Sequence, residues 1–172
     1  MATEEKVVYA SAEEERKWNL LSNRMSEFHQ HYKHEYKLIY ESADGSFTKR
    51  RLTLNQYLNT IAAFNSHLTA HHTIEEHYVF PILAKGIPKF SHNYKDGHVK
   101  SHEAIHDGLE KLAKLVAKWL EDPTSYSSTD LKACLDSFSE VLFEHLDQEV
   151  EDIRGDKLKP HFKLEEILRI ID

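Results

Sequence analysis

TLNQYLNTIAAFNSHLTAHHTIEEHYVFPILAKG, residues 53–86, is the stretch on which the fold turns. Within it Tyr57, Ile61, Phe64, Leu68, His71, Glu75, Tyr78 and Ile82 follow one another at steps of four and three without a break. That alternation is the seam of a helix packed inside a bundle. Thr53 fits an N-cap, and Gly86 followed by Pro88 fits a helix end. Two polar residues, His71 and Glu75, replace apolar ones in the middle of the seam. Burying them unpaired would cost roughly several kcal/mol, so a metal ion is the simplest compensation. His72 and Glu76 offer the same spacing one residue along, but their face includes Ala62, Asn65 and Thr69 and is more polar. The inward pair read here is therefore His71 and Glu75.

The segment from about Ser128 to Asp152 repeats the device. Leu131, Leu135, Phe138, Leu142, His145 and Glu149 lie on one stripe, with His145 and Glu149 again four residues apart. Residues at that spacing share a helix face at about 6 Å, so an imidazole and a carboxylate can bind one cation or two adjacent ones. Two such pairs on facing helices point to two metals bridged by carboxylates.

Two further helices complete the plan. One runs from about Ala12 to Ser42 through Trp18, Leu21, Met25, Phe28, Tyr32, Tyr36 and Ile39, and carries His29 at the edge of that stripe. His31 and His34 fall on its solvated side. The other, after a connection from Ile87 to Gly97, runs to about Leu120 and carries His98, His102 and His106 in successive turns. The stripe through His98, His102, Ile105, Leu109, Leu112, Val116 and Trp119 is the more apolar. Counting about 1.5 Å per residue from each end, however, places the level of Glu75 at positions 102 to 106. Depth selects His106 and face selects His98; the pair adopted is His102 and His106, with His98 the alternative.

These four stretches, separated by turn formers and without period-two alternation, predict an all-α chain: an up-down-up-down four-helix bundle over about residues 12–152. Residues 153–172 form an extension in which Leu164, Ile167, Leu168 and Ile171 mark a short covering helix. A length of 172 residues is that of one domain, so residues 1–172 are read as a single unit. A net charge of −7 opposes general attraction to nucleic acid. Cys134 is the only cysteine, which excludes an intrachain disulfide and a cysteine-based zinc cluster. With neither a targeting signal nor a long apolar run, the expected location is the cytoplasm, away from membranes. The unusual count is 13 histidines. A single histidine on an apolar face is more often a hydrogen-bonded core residue than a ligand. The joint pattern favours a metal site over a metal-free structural bundle.

His29, then HHTIEEHYVFP from His71, HEAIH from His102 and HLDQE from His145 together resemble the hemerythrin-like (HHE cation-binding) family, over about Trp18 to Asp152. The resemblance implies a non-haem di-iron centre that binds dioxygen or a related small ligand such as nitric oxide, or that senses or stores iron. It implies further that His29 and His71 ligate one iron and His102, His106 and His145 the other, with Glu75 and Glu149 bridging. Glu149 follows His145 by four residues, as in the broader family. Invertebrate oxygen carriers have an aspartate at longer spacing there. Iron, manganese and zinc all suit mixed imidazole and carboxylate donors. HEAIH also satisfies the HExxH pattern of zinc hydrolases with Glu103 as general base, a reading that leaves the other two His/Glu pairs unused.

Overall fold

The computed structural model describes residues 7–171; residues 1–6, where the stretch read for a targeting signal begins, and residue 172 lie outside the described residues. Helices and connecting turns make up the described chain. Helix α1 (Ala12–Trp18) starts at Ser11, whose hydroxyl accepts from Glu14 N at 3.1 Å, and α2 (Leu20–Ser42) follows directly. The sequence predicts one helix here. The break falls at Asn19, whose side chain is used twice: Nδ2 donates to Glu15 O at 2.9 Å, and Oδ1 accepts from Gly155 N at 3.0 Å. A tertiary contact therefore decides the interruption.

Helix α3 (Leu54–Ile74) opens with a full capping box, in which Thr53 Oγ1 accepts from Gln56 N and Gln56 Oε1 accepts from Thr53 N. It then widens into a π-helical turn over Glu75–Val79 before α4 (Phe80–Leu83). Pro81 has no N–H for the preceding turn and its ring crowds that turn's carbonyls, which disfavours regular α geometry there. From the π turn onward the buried stripe runs through Val79 and Leu83, whereas Tyr78, expected on the seam, is 71% exposed. Phe28 is likewise exposed.

Helix α5 (His98–Glu121) follows a connection containing a 3-10 turn at Pro88–Phe90, and α6 (Ser128–Asp152) is capped by Ser127. Short α7 (Gly155–Leu158) and α8 (Leu164–Ile171) complete the chain. Helix α8 packs on α1 and α2 with Ile167 buried, as its apolar face predicts. Among the described residues, no helix is long and apolar enough to cross a membrane.

Helices α2, α3, α5 and α6 close a ring: α2 packs on α3 and α6, and α5 packs on the same two. A close approach of α5 to α6 occurs at Gly108, where a Cβ would lie 2.3 Å from Phe138 Cδ1. Gly108→Ala is expected to lower stability, because overpacking costs about 1–3 kcal/mol against about 1 kcal/mol gained in helix propensity; urea unfolding reads the difference. Two apolar clusters fill the ring. One holds Tyr57, Phe64, Leu109, Trp119 and Phe138, and the other Trp18, Met25, Phe80, Phe90 and Ile153. His29, His72, Glu75, His102 and Glu149 fall between residues of the two clusters along their helical stretches, so they form a polar slab with hydrocarbon on both sides.

Candidate metal centre

The slab draws His29 from α2, His71 and His72 from α3, Glu75 from the π turn, His102 from α5 and His145 and Glu149 from α6. All are buried except His71, which keeps a small exposed edge. The nitrogens form two groups. In one, His29 Nε2 and His71 Nε2 are 3.1 Å apart, with Glu75 Oε1 at 2.8 Å from His71 and 4.0 Å from His29. In the other, His102 Nε2 and His145 Nε2 are 3.0 Å apart, with Glu75 Oε2 at 3.4 Å from His102. Glu75 thus turns one oxygen to each pair. Glu149 Oε2 lies 3.8 Å from His29 Nε2 and 3.4 Å from His145 Nε2, and so also stands between them. Two nitrogens bound at about 2.1 Å and right angles to one cation would be roughly 3.0 Å apart, the spacing of both pairs.

The backs of these rings are anchored. His29 Nδ1 donates to Leu146 O at 2.7 Å and His102 Nδ1 lies 2.7 Å from Glu76 Oε1. Each anchor leaves the Nε2 lone pair of the neutral ring facing inward.

His72 was not expected in the site. It is fully buried, stacks on His102 with ring centroids 3.8 Å apart, and offers a ligand atom within 4.8 Å of those of Glu75, His102 and His145. Both its ring nitrogens lack a hydrogen-bond partner among the described residues, as do both oxygens of Glu149. So many orphaned polar atoms converging on one dry layer would be costly in a purely structural core. The donor set fits cations.

His106, placed in the site by the depth count, is not brought into either group. It sits one turn beyond His102, its ring centroid 5.5 Å from His72, with Nε2 buried and without a hydrogen-bond partner among the described residues. The buried stripe of α5 instead runs through His98, His102, Ile105, Leu109 and Leu112, the more apolar of the two registers. His98 contacts His145 from behind. On α3 the signal for His72 was legible, since it follows Leu68 by four residues on the buried stripe. What hid the combination was the π turn, which underwinds the helix and lets Glu75 and Glu76 both reach His102.

Charge in the slab is divided unevenly. Burial pushes His29 down to about 4, and burial with neighbouring imidazoles pushes His72 and His145 well below the ordinary histidine value, so these rings are neutral. Burial also works on His102, but Glu75 and Glu76 outweigh it and raise that ring. Glu75 is held at about 2: burial raises it, and hydrogen bonding to His102 and His71 more than compensates. Glu149 is pushed well up, by burial first and then by the Glu75 charge.

Residues 20–155 match the family described as the hemerythrin HHE cation binding domain. A curated relative, described as dimeric xanthone biosynthesis cluster protein R11 of Cryptosporiopsis sp. (strain 8999), is 38% identical over 102 residues. That alignment covers 58% of this chain and 37% of the relative, so the chain matches well under half of that protein's length. No solved structure matches. With the family match spanning most of its length and a buried histidine and glutamate cluster at its centre, the chain belongs to the hemerythrin HHE cation-binding family.

Proposed function

We propose that this protein is a non-haem di-iron protein whose centre binds a small diatomic ligand, dioxygen or nitric oxide, or reports iron availability. The observation that carries the reading is Glu75, one carboxylate with an oxygen turned to each of two separate histidine pairs. His29 and His71 would hold one iron, His102, His145 and His72 the other, and Glu75 and Glu149 would bridge. Five neutral imidazoles and two carboxylates keep the site from being dominated by anionic charge, which suits iron cycling between oxidation states. Such a pair supplies redox capacity and affinity for small ligands.

The bundle is taken as up-down-up-down. Supporting this, Tyr57 Oη and Tyr126 Oη, near the starts of α3 and α6, donate to Ile39 O and Ala43 O at the end of α2, and His98 at the start of α5 meets Asp152 at the end of α6. The cytoplasmic location is part of the same reading. The HEAIH hydrolase alternative finds no support: Glu103 is paired with Lys100 on the surface and His106 stands apart from His102's partners.

Protein purified without an affinity metal is expected to contain about two irons per chain; elemental analysis showing one zinc, or none of either, contradicts the proposal. A second expectation concerns protons. Metal ligation needs Glu149 ionised and His102 neutral, and both are shifted toward their protonated forms in the metal-free slab. Loading should therefore release protons, and affinity should fall as pH falls. Calorimetric titration in buffers of differing ionisation heat measures this; zero release contradicts it.

A further inference from the structure

His98 lies outside both groups of inward-facing atoms yet is buried behind one of them. Its Nδ1 is 3.4 Å from His145 Nδ1, and its Nε2 is 3.1 Å from Asp152 Oδ2. Asp152 is itself held: Lys89 Nζ lies 3.2 and 3.1 Å from its two oxygens, and Gln148 Nε2 donates to Oδ1 at 3.0 Å. The His98 ring is stacked on Phe90, centroids 4.5 Å apart at 23°. Lys89 and Phe90 both come from the connection between α4 and α5, and Gly97 lets that connection lie close, since a Cβ there would sit 2.4 Å from Lys89 O. The long connection thus clamps Asp152 with one residue and His98 with the next.

These contacts determine where protons sit. A carboxylate only accepts, so His98 Nε2 carries hydrogen toward Asp152. In the neutral ring Nδ1 is then an acceptor, and the facing nitrogen of His145 must be the donor. His145 is left with Nδ1–H behind and a free lone pair on Nε2, the atom that faces His102 and Glu149. We infer that Asp152 and His98 form a positioning relay that locks His145 in its metal-ligating tautomer, and that the Lys89–Phe90 connection holds this relay in place. The relay is needed because Lys89, His98, His145 and Asp152 line a cleft of about 860 Å³ open to solvent. Without His98, water there could donate or accept at His145 Nδ1, and either tautomer would be allowed.

This inference rests on the two-metal reading of the slab, and stepwise cobalt(II) titration of the full chain, followed by visible absorption, separates the two. Wild type should bind two cobalt ions. His98→Ala should weaken one binding step about 10–100-fold and leave the other nearly unchanged. His98→Gln should restore affinity to within about threefold, because its carbonyl can accept from His145 and its amide can donate to Asp152. Unaltered binding in His98→Ala, with wild type binding two, overturns the relay alone. A loss that His98→Gln does not repair means that His98 is itself a ligand, and also overturns it. Wild type binding no cobalt overturns both readings. Zinc-loaded wild type gives a readout free of substitutions: imidazole proton–nitrogen correlation spectra should show Nδ1–H on His145 and Nε2–H on His98. A metal-coordinated nitrogen on His98 would sink the proposal.

Discussion

Glu75→Gln is expected to empty both halves of the centre, taking metal content from about two per chain to less than one. The amide keeps the size of the side chain but loses the anionic character of two oxygens, one directed to His71 and the other to His102. Neither cation would keep its bridge. The stability consequence is as large. A cation present at about a thousand times its dissociation constant stabilises the folded state by about 4 kcal/mol, which for a chain of this size is a rise of about 8–16 °C in Tm. Glu75→Gln should lose that rise while melting, metal-free, close to the metal-free wild type. Thermal melts with and without iron, beside elemental analysis, test it. A variant that still holds two metals and gains the same Tm increment would show that Glu75 is a core carboxylate and no bridge.

His72→Leu is expected to act in opposite directions on stability and on metal content. In the metal-free protein this imidazole is fully buried with both nitrogens unpartnered, a desolvation penalty of about 1–3 kcal/mol that leucine removes at similar volume. The metal-free variant should therefore resist denaturant better than wild type. Its metal content should fall from about two to about one, because only the group of His102 and His145 uses His72. Destabilisation with unchanged metal content would instead make His72 a packing residue. The opposed signs are the point: a residue kept at a cost to the empty fold is kept for what the fold holds.

The family motif and the metal-centre residues were unequally legible. His71, Glu75, His102, His145 and Glu149 were placed by stripe position and i,i+4 spacing and His29 at the edge of its stripe, and the structure gathers them in one layer, buried but for the edge of His71. His72 and His106 were exchanged, for two local reasons. The depth count overrode the more apolar register of α5, whose buried stripe takes in His98 and His102 and leaves His106 to one side. The seam reading assumed one helical period through residues 71–79, where the backbone turns π. Tyr78 and Phe28 were assigned to the interior by the same periodicity and lie outside.

What the sequence determined by itself is whatever depends on period and residue type: four amphipathic stretches, their caps, a covering C-terminal helix, and polar donors where hydrocarbon was due. Those follow from burial of one helix face, a local property repeated along the chain. What only the tertiary structure decided is that both adjacent histidines on α3 face the centre, which of three on α5 does so, where α1 and α2 part, and that His98 stands behind His145. Each depends on contacts between segments distant in sequence, Asn19 with Gly155, Lys89 with Asp152, His98 with His145, whose geometry is set by how the helices meet.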